Sequence, residues 1–185
     1  MSTSTVIAIV IAVVILGWLI AQYNKLLRMN VAVDEGFAQI EVQLQRRADL
    51  IPNLVETVKG YAAHEKEALE NVVQARARAT AAQGVQDVSA ADGMLTQALR
   101  GLLAVSEAYP DLKASANFAQ LQEELAATEN KVSFARQFYN DTVRILNQTV
   151  VTIPGTFFKG IAKVGEREFY EIEDPQNRQV PKVNF

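Results

Sequence analysis

Residues 1–24 contain no charged side chain, and positions 6–21 are almost entirely apolar. Such a stretch suits a helix in lipid, which satisfies its own backbone hydrogen bonds. About 18 residues at ~1.5 Å rise cover about 27 Å, enough to cross a hydrocarbon core. We therefore expect a membrane anchor whose apolar body includes Val6 and Ile20, with Trp18 and Tyr23 at the lipid–water boundary and Lys25 and Arg28 just beyond. A cleaved signal peptide is the competing reading. It calls for a positive segment ahead of the apolar run and a small-x-small site after it, and neither is present around this run. Cations on the C-terminal flank predict that this side stays in the cytoplasm, with the first few residues outside. Ala8/Ala12 and Gly17/Ala21 are small-xxx-small pairs that let anchor helices touch, a pattern also common by chance.

Beyond the anchor the apolar residues keep helical spacing. Leu26, Val33, Phe37, Ile40 and Leu44 form one stripe; Ile51, Val55, Val58, Ala62, Leu69, Val72 and Ala79 form a second. Between them a turn is expected within residues 46–52, with Asp49 as N-cap and Pro52 in the first turn of a new helix. The alternative is a continuous helix kinked at Pro52, because Leu44, Arg47, Ile51 and Leu54 keep the register. The second helix should fade at Gln83-Gly84. Ser89 with Asp92 resembles a cap opening a shorter helix through Leu95, Leu99, Leu102 and Leu103, which ends by Tyr109-Pro110. A last helix, capped at Asn117 or beginning a turn earlier near Ser115, carries the longest clean stripe, from Phe118 and Leu121 to Leu146 and Val150. The predicted fold is all-α: an N-terminal transmembrane helix continuing into an antiparallel up-and-down four-helix bundle, with an extended C-terminal tail. The expected divisions are 1–24 for the tail and anchor, 25–153 for the bundle, and 154–185 for a short amphipathic segment and the tail.

Two positions on the second stripe are wrong for an apolar core, Glu65 and Arg76. Buried charges need partners, so these two, together with Glu129 and Arg136 on the last helix, form a candidate polar core network. The competing reading has them snorkel past the stripe's edge. After Ile153-Pro154, Phe157, Phe158, Lys159 and Lys163 are a candidate interfacial contact: counting helix directions returns this segment to the bilayer surface, where the lysines can reach anionic headgroups. The alternative has both phenylalanines plug the open end of the bundle.

The chain holds no cysteine and one histidine at a net charge of −3. Disulfides, thiol catalysis, thiolate zinc sites and histidine clusters are thereby excluded, and no basic stripe points to nucleic acid. His64-Glu65 opens like a zinc-protease helix, but Ala68 stands where the second histidine belongs. No nucleophile elbow or phosphate loop is present, so we expect no enzyme, metal or cofactor.

These residues resemble the LemA family. The resemblance rests on YNKLLRMNVAVDEGFAQIEVQLQRRADLIPNLVETVKGYAAHE, LENVVQARARA, NFAQLQEELAATENKVSFARQFYNDTVRILN and the closing PKVNF, and covers nearly the whole chain. Phe37 stands where the family often has Trp, and Asn184 where an acidic residue is common. The resemblance implies a bacterial single-pass membrane protein with a helical bundle, and by itself implies no activity. Family genes often lie beside a gene for a membrane zinc metalloprotease. The expectation is a scaffold or adaptor of the cell envelope, in the cytoplasmic (inner) membrane with its bundle in the cytoplasm, possible ties to membrane protein quality control following by association alone. Its partners would be membrane lipid and other proteins or copies of itself. The alternative is a self-assembling structural protein with no separate client.

Overall fold

A computed structural model describes residues 2–171. Among them all regular structure is helical: α1 (Thr3–Tyr61), α2 (Lys66–Ala81), α3 (Val85–Val105), a 3-10 turn (Ser106–Ala108), α4 (Pro110–Lys113), α5 (Ala116–Val151) and α6 (Gly155–Ala162). The described residues form two compact units. One is made of residues 2–38 and 137–169, the other of residues 39–136 with Tyr170 and Glu171.

The turn expected within residues 46–52 does not form. α1 passes through Pro52 and ends only at Tyr61. A proline inside a helix has no N–H for the carbonyl four residues back, here that of Ala48, and Ala48 is 2% exposed. An orphaned buried carbonyl is costly, and Arg76 answers it: its Nε donates to Ala48 O at 2.8 Å from α2. The stripe's misplaced arginine is thus part of what lets the helix continue.

The break comes at residues 62–65 instead, inside the stretch read as one helix. Gly60 weakens the last turn, and Glu65 interrupts the apolar stripe where the chain leaves helical geometry. The Glu65 carboxylate accepts from the Tyr109 hydroxyl at 3.0 Å, and that hydrogen bond is the main reason the tyrosine's pKa is raised. The α2–α3 connection falls where Gln83-Gly84 predicted, with Gly84 at φ 78°, a conformation glycine adopts without strain. α5 takes the earlier of its two expected starts, beginning at Ala116 with Ser115 O accepting from Ala119 N–H.

The core of the second unit gathers Ile51, Leu54 and Val58 of α1, Leu69 and Val72 of α2, Leu95, Leu99 and Leu102 of α3, Leu112 of α4, and Phe118 and Leu125 of α5. All but Leu112, which sits in the short α4, belong to three/four-spaced stripes, which is why helices with polar outer faces pack here.

In the first unit, Leu26 and Val33 of α1 are buried, as are Tyr139, Val143, Leu146 and Val150 of α5. Gly36 brings the two helices close: a Cβ there would lie 3.4 Å from Tyr139 Cα, and the Phe37 and Tyr139 rings sit 5.8 Å apart. After α6 the chain is extended. Asn147 grips the backbone of Arg167 from both sides, Nδ2 donating to its carbonyl at 2.9 Å and Oδ1 accepting its N–H at 2.8 Å. Tyr139 donates to Glu168 O at 2.8 Å, and burial raises the pKa of its hydroxyl. Arg167 itself reaches Asp34 Oδ1 at 2.5 Å and Asn30 Oδ1 at 3.2 Å. The closing PKVNF, like all of 172–185, lies outside the described residues.

Candidate functional site

The most concentrated chemistry lies in the second unit, around Asp92. Val88, Ala91, Leu95 and Leu99 bury one face of α3, and the register that buries them carries Asp92 inward, 1% exposed. Ser89 and Asp92 therefore do not cap a helix. α3 begins at Val85, and both residues sit inside it. Isolated, a carboxylate so buried would be costly, and three donors converge on it. Arg47 Nη1 reaches Oδ1 at 3.1 Å, the Tyr170 hydroxyl donates to Oδ2 at 2.8 Å, and Arg136 Nη2 pairs with the same Oδ2.

Each arginine is held in turn. Arg47 is 5% exposed on α1, and its Nη1 also donates to Thr96 Oγ1 at 3.0 Å. Glu129 on α5 closes the ring, its Oε2 2.8 Å from Arg47 Nη1 and its Oε1 4.0 Å from Arg136 Nη1. The first contact is an ion pair without hydrogen-bond alignment, since Oε2 finds no directed donor. Arg136 also stacks over the Tyr170 ring at 5.4 Å. Two cations and two anions balance. Burial, then the adjacent Asp92 charge, pushes the Tyr170 hydroxyl far above its ordinary range, so it acts as a neutral donor. Beside it, Ser89 Oγ donates to the carbonyl of Glu171.

Of the four residues proposed for a polar network, Glu129 and Arg136 meet here, while Glu65 and Arg76 serve the Tyr109 hydroxyl and the Ala48 carbonyl. Sequence reasoning missed Arg47, Asp92 and Tyr170 as members. Arg47 had a signal, since it falls on the unbroken register of Leu44, Ile51 and Leu54. His64 is exposed, and among the described residues no group of His, Cys, Asp or Glu could hold a metal ion. Both Asp92 oxygens already face donors, and the flanking guanidinium groups oppose a cation. Two surface hollows of this unit, of about 130 and 320 Å³, are lined by residues such as Glu41, Gln45 and Thr80 or Arg46, Asp49 and Lys131, and by no member of the cluster. The arrangement joins α1, α3, α5 and the chain's return at Tyr170.

The anchor residues Val6, Trp18 and Ile20 are 47%, 50% and 52% exposed, and Tyr23 is half-buried. α1 is long and apolar enough to cross a membrane, with none of its most apolar stretch buried. Phe157, Lys159 and Lys163 are exposed and Phe158 half-buried.

The chain is similar to the magnetosome proteins MamQ 1 and MamQ 2 of Paramagnetospirillum magneticum, each 22% identical over 90% of this chain and 71% of the relative. The LemA family model matches residues 36–185, which takes in every member of the charged cluster and leaves the apolar stretch of α1 outside. With most of its length matched, the chain belongs to the LemA family.

Proposed function

We propose that this protein is a membrane-anchored helical scaffold or adaptor of the bacterial cell envelope, and not an enzyme. The observation that carries the reading is α1, whose uncovered apolar stretch calls for lipid and whose remaining turns are built into packed helices. Four long helices joined by short connections support an up-and-down bundle as the body of the scaffold. The charged cluster supports a static role, because its carboxylates and guanidinium groups face one another. The magnetosome relatives are in keeping with work at a membrane. In this reading α1 spans the cytoplasmic membrane once, with its first residues outside and the helical body in the cytoplasm. Other envelope proteins are its partners, a membrane metalloprotease and thereby membrane protein quality control among them.

Exposed apolar side chains on packed helices favour contact with protein: Phe134 is 73% exposed and Met94 57%. The test is photo-crosslinking from position 134 in intact membranes, followed by mass spectrometry. A stoichiometric crosslink to a different envelope protein is expected. Crosslinks only between copies of this chain would instead support the self-assembling structural protein. Because the chain has no cysteine, single cysteines placed at residues 3 and 66 and probed from each side of the membrane test the orientation.

A further inference from the structure

α6 packs with one side and leaves the other bare. Gly155 is buried against α5, where a Cβ would overlap the Thr149 carbonyl, and Phe158 and Ala162 on the same side are half-buried. Phe157 and Ile161, four residues apart on α6, are 68% and 71% exposed, and Ile153 in the turn just before the helix is 77% exposed. Two large apolar side chains this exposed on a helix seated so closely, with a third just before it, are unfavourable in water.

The register of the first unit says what covers them. Gly36 lies against Tyr139, while Asn30 and Asp34 share Arg167 with Asn147, so residue numbers fall along α1 as they rise along α5. Continued from the Gly36–Tyr139 contact, this antiparallel register brings Val151 level with about residue 24 of α1. That is where the apolar stretch of α1 gives way to Tyr23, Lys25 and Arg28. α6 follows at once.

Charge points the same way. Every charged residue in 1–33 and in 142–165 is a cation, namely Lys25, Arg28, Arg144, Lys159 and Lys163. The bounding acidic residues are Asp34, Asp141, which pairs with Arg144, and Glu166. Lys163 also holds the left-handed C-terminal position of α6 at φ 53°, with Val164 N–H donating to Lys159 O at 3.0 Å, a place glycine fills with less strain.

We propose that α6 is an interfacial helix, its Phe157–Ile161 face resting in an anionic leaflet, with Ile153 just before it, beside the point where α1 enters the membrane. The inference rests on the reading of α1 as the anchor and adds a second, peripheral contact that fixes how the first unit meets the bilayer. Such a helix lies about 5–10 Å into the headgroup and acyl boundary, with basic side chains on its polar face.

The test uses the full chain in vesicles of phosphatidylcholine with or without phosphatidylglycerol. One fluorophore is attached at Phe157→Cys, and in a separate preparation at Val13→Cys within the apolar stretch. Spin-labelled lipids then quench from carbon 5 or carbon 12. The Phe157 label is expected to be quenched more by carbon 5, the Val13 label more by carbon 12. Lys159→Gln and Lys163→Gln should each lower the seated-to-unseated ratio of α6 about fivefold on anionic vesicles, the equivalent of ~1 kcal/mol per lysine. Quenching at 13 but not at 157 overturns the proposal and leaves the anchor standing, an immobile unquenched label at 157 meaning that protein covers the face. Absence of quenching at both positions removes the anchor and the proposal together. Equal quenching at 157 on neutral and anionic vesicles overturns the assignment of an anionic surface.

Discussion

Asp92→Asn should be among the most damaging near-isosteric changes in this chain. It creates no cavity, because the side chains match in shape, so its effect is electrostatic and hydrogen-bonding. With the carboxylate gone, Arg47 and Arg136, whose side chains are 6% and 11% exposed, are left among the described residues with Glu129 as their counter-charge, which is 39% exposed and poorly aligned with Arg47. The new amide also turns an N–H₂ toward groups that are themselves donors, the Tyr170 hydroxyl or a guanidinium. Breaking a buried ion pair by removing one partner costs about 3–5 kcal/mol. At about 2–4 °C per kcal/mol for a chain of this size, the melting temperature should fall by about 6–20 °C. Glu129→Gln should cost less, about 1 kcal/mol, since the Glu129 side chain is 39% exposed and Asp92 still faces both arginines. Circular dichroism melts of the full chain in detergent measure both. Combining Asp92→Asn with Arg136→Met should cost less than the two single losses added, because the arginine no longer needs a counter-charge. An Asp92→Asn melt within 1 °C of the unaltered chain, or strictly additive losses, would refute the claim that the cluster is desolvated and mutually dependent.

Arg76→Met should cost about 1–3 kcal/mol by orphaning the Ala48 carbonyl, and much less in a Pro52→Ala background, where residue 52 regains an N–H for that carbonyl; chemical denaturation of the four variants measures the difference. Tyr170 is held neutral above the ordinary tyrosine value of 10.0, so its contribution is intact below about pH 10 and is lost as the pH climbs toward the higher folded value, when the unfolded chain alone ionises. The unaltered chain should therefore lose stability relative to Tyr170→Phe above about pH 10, by up to about 1.4 kcal/mol per pH unit, in matched denaturant titrations, and the gap should be constant at lower pH. Gly155→Ala should unseat α6 by driving its Cβ into the Thr149 carbonyl, read as a rise in mobility of a spin label at position 161, whereas Gly36→Ala meets only ordinary contacts and should leave the melt within about 1 kcal/mol.

Local physics made much of this chain legible. An uncharged apolar run marks a candidate membrane span whatever follows it, and three/four spacing marks the buried face of each helix before any partner is known. Ile51, Val58, Leu99, Phe118 and Leu146 are therefore buried as their stripes predict. What only the tertiary structure decided is where helices stop and which charges meet. Pro52 is a plausible first-turn residue by local rules, and it becomes a mid-helix residue because Arg76, from another helix, supplies the missing donor to Ala48. Ser89 and Asp92 have the spacing of a cap, yet Asp92 belongs to the core, because Arg47, Arg136 and Tyr170 reach it from 45, 44 and 78 residues away. A buried carboxylate is tolerable only when its donors converge, and that convergence is a property of the packed helices, which no single helix's spacing encodes.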